Sequence, residues 1–479
     1  MKLPTAALLV VTLCCSAAQA RDKAIDTQFG MPERWAAVTD TFTAATPAAT
    51  AGAGLTPQWW ASFDDPVLDS LMSMGTRNNY DIATATRRVS IARTQVGTER
   101  AAYYPNVSVS AGYTYTRDAG AMHSPVAPSA NTSYWDLGAQ ASWEIDVFGR
   151  VKDAVAAAKQ NVRVSAADRA GVMLSVQSQI ALTYIQLRVE QAQLVVAEAH
   201  SQRQDTALRI AEARFEAGIA SMLDVDQAQQ VYYSTVASIP LLEYNIHADI
   251  HALSTLTGSP AGALNALLSP SHSLPDHVQP VATGVPSDLL RNRPDVIAAE
   301  RTIDMYASRL GIARKEWLPS ISVQASGGTY AHDAKNLFQG KSWGFSVAPV
   351  ISWTVFDGLS RKYAIQSAEE ELQSAVESYN LTVLNAVQEA DDALASYYSR
   401  LRYIKSLEKM VDCAAQYDTR SLNAYRSGLA PYINVANAQM TYLEDENTLI
   451  VAKGKALMAL VKLYKALGGG YSEARIDDN

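Results

Sequence analysis

Two stretches of this sequence lack almost every residue that ends a helix. From Val151 to Gly218 there is no proline and one interior glycine, Gly171, and from Leu359 to Ser427 there is neither. Both stretches are rich in Ala, Gln, Glu, Leu and Arg, which lose little side-chain freedom in a helix. At about 1.5 Å per residue, nearly 70 residues would reach roughly 100 Å. Few globular domains use a helix of that length; a coiled coil or the wall of a tube does. Met173, Val176, Ile180, Tyr184 and Leu187, with Leu194 a heptad further on, trace one apolar seam, and Ala181, Ile185, Val189, Ala192 and Val196 trace a second beside it. One seam suits a two-stranded coil. Two suit a helix with a neighbour on each side, as in a ring, and a fully buried helix gives the same pattern.

The long stretches belong to an internal duplication. Ala102–Gly112 resembles Glu316–Ser326 around Pro105 and Pro319, and Ala141–Gly149 resembles Ile351–Gly358 around a Ser-Trp pair. Arg214-Phe-Glu-Ala-Gly218 with Gln227-Ala-Gln229 resembles Tyr425-Arg-Ser-Gly428 with Asn437-Ala-Gln439. Trp143 and Trp353 stand 210 positions apart, as do Gly218 and Gly428. Each half therefore reads as one series. A helix (80–103, 294–317) stops at the proline, and a strand follows (106–116, 320–330). A polar loop (117–132, 331–342) leads into a second strand (133–147, 343–356). The long helix comes next, then a glycine turn and a further helix (221–257, 431–467). Each half thus ends in a helical hairpin with Gly218 or Gly428 at its far tip.

The strands decide the setting. Val107, Val109, Ala111, Tyr113 and Tyr115 alternate with Ser108, Ser110, Gly112, Thr114 and Thr116, which is period two. Expected lengths of roughly 10–14 residues exceed the usual 5–6 and suit a tilted crossing of an outer membrane. A soluble pair of hairpins is the alternative. Four strands cannot close a membrane barrel, for which about eight is the smallest number, so membrane strands would have to be shared among several chains.

Composition narrows the rest. Met1-Lys2, the apolar run Ala6–Leu13 and Ala18-Gln19-Ala20 form an export signal too short to span a bilayer. Cleavage after Ala20 is the simplest reading; lipidation at Cys14 or Cys15 is the rival, although Leu13 and Cys14 stand where a lipid box has a small residue. Without those two cysteines only Cys413 remains, so no disulfide staples the chain. The net charge of −8 over 479 residues, without a Lys/Arg run, gives no footprint for nucleic acid. After the signal, no stretch of about 18 apolar residues predicts a transmembrane helix.

With these pieces in place, the chain resembles the outer-membrane efflux factors of the TolC/OprM type. The motifs that carry the resemblance are Trp59–Leu68 with Asn78-Asn-Tyr-Asp81, Trp143–Arg150, Pro286–Asp295 and Leu463–Gly470, so it covers nearly the whole mature chain. The resemblance implies an α+β membrane protein and a homotrimer. Four strands and two long helical hairpins per chain would give a twelve-stranded outer-membrane β-barrel continuous with a twelve-helix periplasmic α-barrel. It further implies a periplasmic adaptor protein and an inner-membrane pump, of the resistance-nodulation-division type, as partners. Their cargo would leave through a passive duct. Family hairpin tips meet the adaptor, which assigns that contact here to Gly218 and Gly428. They also close the tunnel. A Tyr, a Leu and an Asp form the constriction in OprM-like members, with an Arg close by. Tyr425 and Ile433 match the first two, Asn437 stands at the Asp and Met440 at the Arg. Three asparagines can only hydrogen-bond, so packing of Ile433 is expected to seal this gate more than charge does. Asp224 and Asp226 at the other tip are expected either to restore negative charge at the entrance or to be a solvated helix start.

Catalytic chemistry is not legible. His247 and His251 share a helix face, but Ala248 stands where a zincin has Glu, so no metal site is expected. Asp391 and Asp392 point about 100° apart on a helix and cannot share a site. There is no phosphate loop, dinucleotide fingerprint or nucleophile elbow, and no cofactor is implied. The rival reading is a periplasmic coiled-coil scaffold, which would carry a lipoyl-like β domain between its helical arms; none is visible. The expected division is a signal at 1–20, an N-terminal segment with equatorial elements and first helix at 21–104, and a first barrel hairpin at 105–148. A first tunnel hairpin at 149–260 and a linker at 261–293 follow, then a helix at 294–318, a second barrel hairpin at 319–357, a second tunnel hairpin at 358–468 and a tail at 469–479.

Overall fold

The structure, a computed structural model, describes residues 58–117, 131–275 and 292–471. The expected signal, Cys14 and Cys15, most of the first hairpin loop, the start of the Pro286–Asp295 motif and most of the tail lie outside the described residues.

The elements run in two parallel series. A 3-10 turn at Trp59–Phe63 precedes α1 (Pro66–Asn78), α2 (Tyr80–Ala101), β1 (Asn106–Arg117), β2 (Asn131–Ile145), α3 (Arg150–Glu216) and α4 (Met222–Leu256). The short α5 (Asn265–Leu268) leads to α6 (Pro294–Lys315), β3 (Ser320–Ala331), β4 (Trp343–Ser352), α7 (Ser360–Arg426) and α8 (Tyr432–Ala466). The repeat is quantitative: α3 and α7 each have 67 residues, and α4 and α8 each have 35. β4 ends at Ser352, sooner than the expected 356, and the second hairpin loop contains two 3-10 turns, Ala334–Asn336 and Gly340–Ser342. Pro240 lies inside α4, where the rest of the helix must absorb one missing backbone donor. No described helix is long and apolar enough to cross a membrane.

The chain divides into two compact units. The first comprises 89–165 and 299–379 among its described residues. Its centre is one antiparallel sheet in the order β1-β2-β3-β4. The two halves join at β2 and β3, where Gly138 faces Gly328. A Cβ on Gly328 would lie 2.6 Å from the Leu137 carbonyl oxygen, so this crossing needs glycine. The register puts Val107, Val109, Tyr113, Trp135, Trp143, Phe345, Val347 and Ile351 on one face. That face is exposed, Phe345 to 90%. The opposite face carries Ser108, Ser110, Gln140, Ser142, Ser322, Gln324 and Ser326. A sheet with one apolar and one polar face, the apolar one left exposed, suits lipid on that side better than water. Among the described residues β1 and β4 are unpaired edges, open to pairing with strands of another chain. The same anchors recur at both sheet-to-helix junctions: Trp143 Nε1 donates to the Tyr103 carbonyl (2.9 Å) and Trp353 Nε1 to the Trp317 carbonyl (3.1 Å). Asp146 caps the start of α3 by accepting from the Val151 and Lys152 amides, and Asp357 accepts from the Arg361 amide.

The second unit comprises 58–88, 166–298 and 380–471 among its described residues. The middle of both predicted seams of α3 is covered: Val176, Ile180, Tyr184 and Leu187 on one, and Ala181, Ile185 and Val189 on the other, are buried, whereas Met173, Ala192, Leu194 and Val196 are half-buried. Small elements clasp this stretch. The Tyr184 hydroxyl donates to Asp65 (2.5 Å), Arg188 to the Pro270 carbonyl (2.9 Å) and Gln191 to the Leu268 carbonyl (2.7 Å). Arg293 donates to the Ala466 carbonyl at the end of α8 (2.7 Å), to Asp295 (2.6 Å) and to Glu389 (2.8 Å). Burial works against the Asp295 charge, but this guanidinium more than offsets it and holds the carboxyl below its usual range.

Candidate gate at the hairpin tips

Both tips are built by the same local rule. At the end of α3 the Gly218 amide donates to the Phe215 carbonyl and the Ile219 amide to Arg214. At the end of α7 the Gly428 amide donates to Tyr425 and the Leu429 amide to Ala424. This is the paired bonding of a Schellman turn, and it requires a left-handed residue. Gly218 (φ 69°) and Gly428 (φ 73°) supply it. The turns reverse the chain into α4 and α8 and leave Ile219, Leu223 and Leu429 exposed, Leu429 to 84%.

Beneath these turns the two hairpins share one core. Ala207, Leu208 and Ala211 of α3, Val225, Ala228 and Val231 of α4, Tyr425 of α7, and Tyr432, Val435 and Ala436 of α8 are buried together. Tyr425 is its polar centre. Its hydroxyl donates to Asp224 Oδ2 of the other hairpin at 3.2 Å. Its ring meets that of Tyr432 edge-on at 5.1 Å, and the Arg214 guanidinium lies 4.8 Å above it. Arg214 Nη1 also donates to the Tyr425 and Arg426 carbonyls at 2.8 and 3.0 Å. A cation thereby sits at the negative end of α7. Burial, then the Asp224 charge and its hydrogen bond, push the Tyr425 hydroxyl up to about 12, with Arg214 opposing. It remains a proton donor at neutral pH.

The structure thus brings together part of the expected site. Tyr425 and Asp224 meet, so Asp224, half-buried and also accepting from the Ser221 hydroxyl, is engaged across the tips. Asp226 is exposed. Ile433 is 42% exposed and Met440 55%, with Asn437 exposed between them. At steps of four and three they form one exposed line along α8, beside the buried face that carries Tyr432, Val435 and Ala436. Arg214 was missed by sequence reasoning. Its glycine turn was legible, but the repeat equates Arg214 with Ala424, so symmetry gave no hint of its role.

An exposed-apolar, four-stranded sheet with free edges, in a chain whose other unit is built on paired helical hairpins, defines the class: one subunit of an oligomeric channel set in an outer membrane. The chain belongs to the outer membrane efflux protein family, whose model matches residues 71–259 and 285–469. Nodulation protein T of Rhizobium leguminosarum bv. trifolii is 26% identical over 418 residues, covering 86% of this chain and 88% of that protein. The toluene efflux pump outer membrane protein TtgI of Pseudomonas putida is 29% identical over 410 residues, covering 86% and 87%. The solved outer-membrane channel OprN superposes with a TM-score of 0.83 at 26% identity, covering 93% of this chain and 99% of that one. The chain is therefore an outer-membrane efflux channel subunit with a long periplasmic helical extension. It acts as a trimer with an adaptor protein and an inner-membrane pump. Three copies of its four-stranded sheet make a twelve-stranded barrel.

Proposed function

We propose that the trimer is a passive exit duct for small molecules, shut at its periplasmic end by the tips of the two hairpins. The observation that carries this is the bond from Tyr425 to Asp224, which ties one hairpin to the other beneath both turns. Arg214 clamps the same point from above. In this reading Tyr425 is a latch, and the exposed line Ile433, Asn437 and Met440 faces the passage. Ile433 narrows it, and Asn437 sets a neutral polar ring. Asp226 supplies negative charge at the entrance. The turns at Gly218 and Gly428 present Ile219, Leu223 and Leu429 to the adaptor.

The pump partner is of the resistance-nodulation-division type and supplies both energy and selectivity; the duct performs no catalysis. Apolar and amphiphilic solutes are the favoured cargo class, since TtgI is named for toluene efflux. Among the described residues, 58–104 and 261–275 contribute the equatorial elements, 105–117, 131–148 and 319–357 the barrel, and 149–260 and 358–468 the tunnel, with 294–318 leading into the second hairpin. Asn437→Asp, recorded as single channels in a planar bilayer, tests the lining. Preference for cations over anions should rise several-fold. Unchanged conductance and selectivity would remove Asn437 from the passage.

A further inference from the structure

Above the tips, α3, α4, α7 and α8 line a cavity of about 660 Å³, wholly within the second unit. That volume falls in the range that holds a drug-sized molecule. Its lining includes Gln204, which is 1% exposed. Neither the Nε2 nor the Oε1 of Gln204 has a hydrogen-bond partner. The Oδ1 of Asn447, also lining the cavity, is buried and without a partner as well.

Buried amides are almost always paired, because leaving them unpaired sacrifices the hydrogen bonds they make in water. Nearby hydroxyls do not solve the problem. Ser234 and Thr235 line the same cavity, but both donate back to the Val231 carbonyl of their own helix. Gln204 therefore offers one donor and one acceptor side by side, and Asn447 offers a further acceptor. The remaining wall includes the apolar surfaces of Tyr403, Met440, Leu443 and Val451. Arg400, Lys455 and Glu444 line it too, two cations and one anion, so no single sign of charge dominates.

We infer that this cavity lodges a small neutral amphiphile in the duct wall, one that carries a donor and an acceptor on a single group, such as an amide or sulfonamide, attached to an aromatic or aliphatic body. The polar group pairs with Gln204 and Asn447, and the body lies against Tyr403, Met440 and Leu443. The inference rests on the efflux reading for its biological sense, since a duct wall meets such molecules in passage. The site itself rests on the unpaired amides.

Dansylamide is the probe: its sulfonamide supplies both hydrogen-bonding roles, and its emission rises when its ring leaves water. Purified wild-type trimer should give a saturable rise in emission. Gln204→Leu, which keeps the volume and removes the polar pair, should weaken binding about tenfold or more. Asn447→Leu should weaken it to a smaller degree, and the exposed Thr419→Ala should leave it unchanged. Absence of saturable binding to wild type overturns the inference. So does equal binding by wild type and both leucine variants. Dissociation of the trimer by Gln204→Leu also overturns it, because a neighbouring subunit then covers the cavity. Channel conductance of the same wild-type preparation is read in parallel. Loss of conductance with binding intact refutes the duct, and conductance without binding refutes only the cavity.

Discussion

Removing the Tyr425 hydroxyl isolates the latch with little disturbance of the core. Tyr425→Phe keeps the ring under Arg214 and against Tyr432 and deletes only the donation to Asp224. Hydrogen bonds to charged groups contribute about 1.5–3 kcal/mol net. This one is long, at 3.2 Å, and its acceptor is half-buried, so about 1 kcal/mol per subunit is the appropriate figure. If three latches release together, the closed state loses about 3 kcal/mol, which raises the open-to-closed ratio roughly a hundredfold. Single-channel recording in a planar bilayer reads that ratio as open time. A cycle with Asp224→Asn attributes it: in the Tyr425→Phe background the second substitution should add little. An open fraction for Tyr425→Phe within about twofold of wild type refutes the latch, as does independent addition of the two effects.

Three further outcomes follow from packing and charge. A Cβ on Gly454 collides with the side chain of Val189, so Gly454→Ala should cost about 1–3 kcal/mol in thermal unfolding followed by helical circular dichroism, and Val189→Ala should recover part of it. Lys315→Met strips Asp153 Oδ2 of its partner at 2.6 Å and takes one of two donors from the Gly149 carbonyl, which keeps the Asp153 amide; about 1–3 kcal/mol of stability should be lost in the same assay. Burial, and next the charge of Glu190, push Asp249 up to about 7. The folded state therefore holds this proton after the unfolded chain has released it, and stability falls as pH rises from about 4 to 7. Asp249→Asn should raise the melting temperature at pH 7.5 and have little effect near pH 4; an equal shift at both values would show that the charge is not the cause.

The sequence reveals elements more fully than it reveals partners, for a physical reason. Helix ends are local: Gly218 and Gly428 mark α3 and α7 because only a left-handed residue completes the turn, and Pro105 and Pro319 mark where α2 and α6 yield to strands. Alternation is local too, so β1 is legible from Val107 to Tyr115. The bond from Tyr425 to Asp224 joins residues 201 positions apart. No spacing rule reaches that far, and Tyr425 entered the site through family resemblance alone. Asp224 was expected either as an entrance charge or as a solvated helix start, and neither expectation contained its bond with Tyr425 across the tips. The two seams on α3 likewise had two meanings. The clasp by Asp65, Leu268 and Pro270 shows that part of this burial comes from small elements of the same chain and does not require a neighbouring hairpin on each side. Ile433, Asn437 and Met440 likewise entered through the family resemblance, and their exposure as one line needed the packing of Tyr432 and Val435.

The most direct test of the account is the conductance of the purified wild-type protein in a planar lipid bilayer. A trimeric duct latched at its periplasmic tips should insert from detergent and show discrete channels that are closed most of the time, with openings that lengthen in Tyr425→Phe. A protein that stays soluble without detergent, or that inserts and yields no channel in either form, would contradict it.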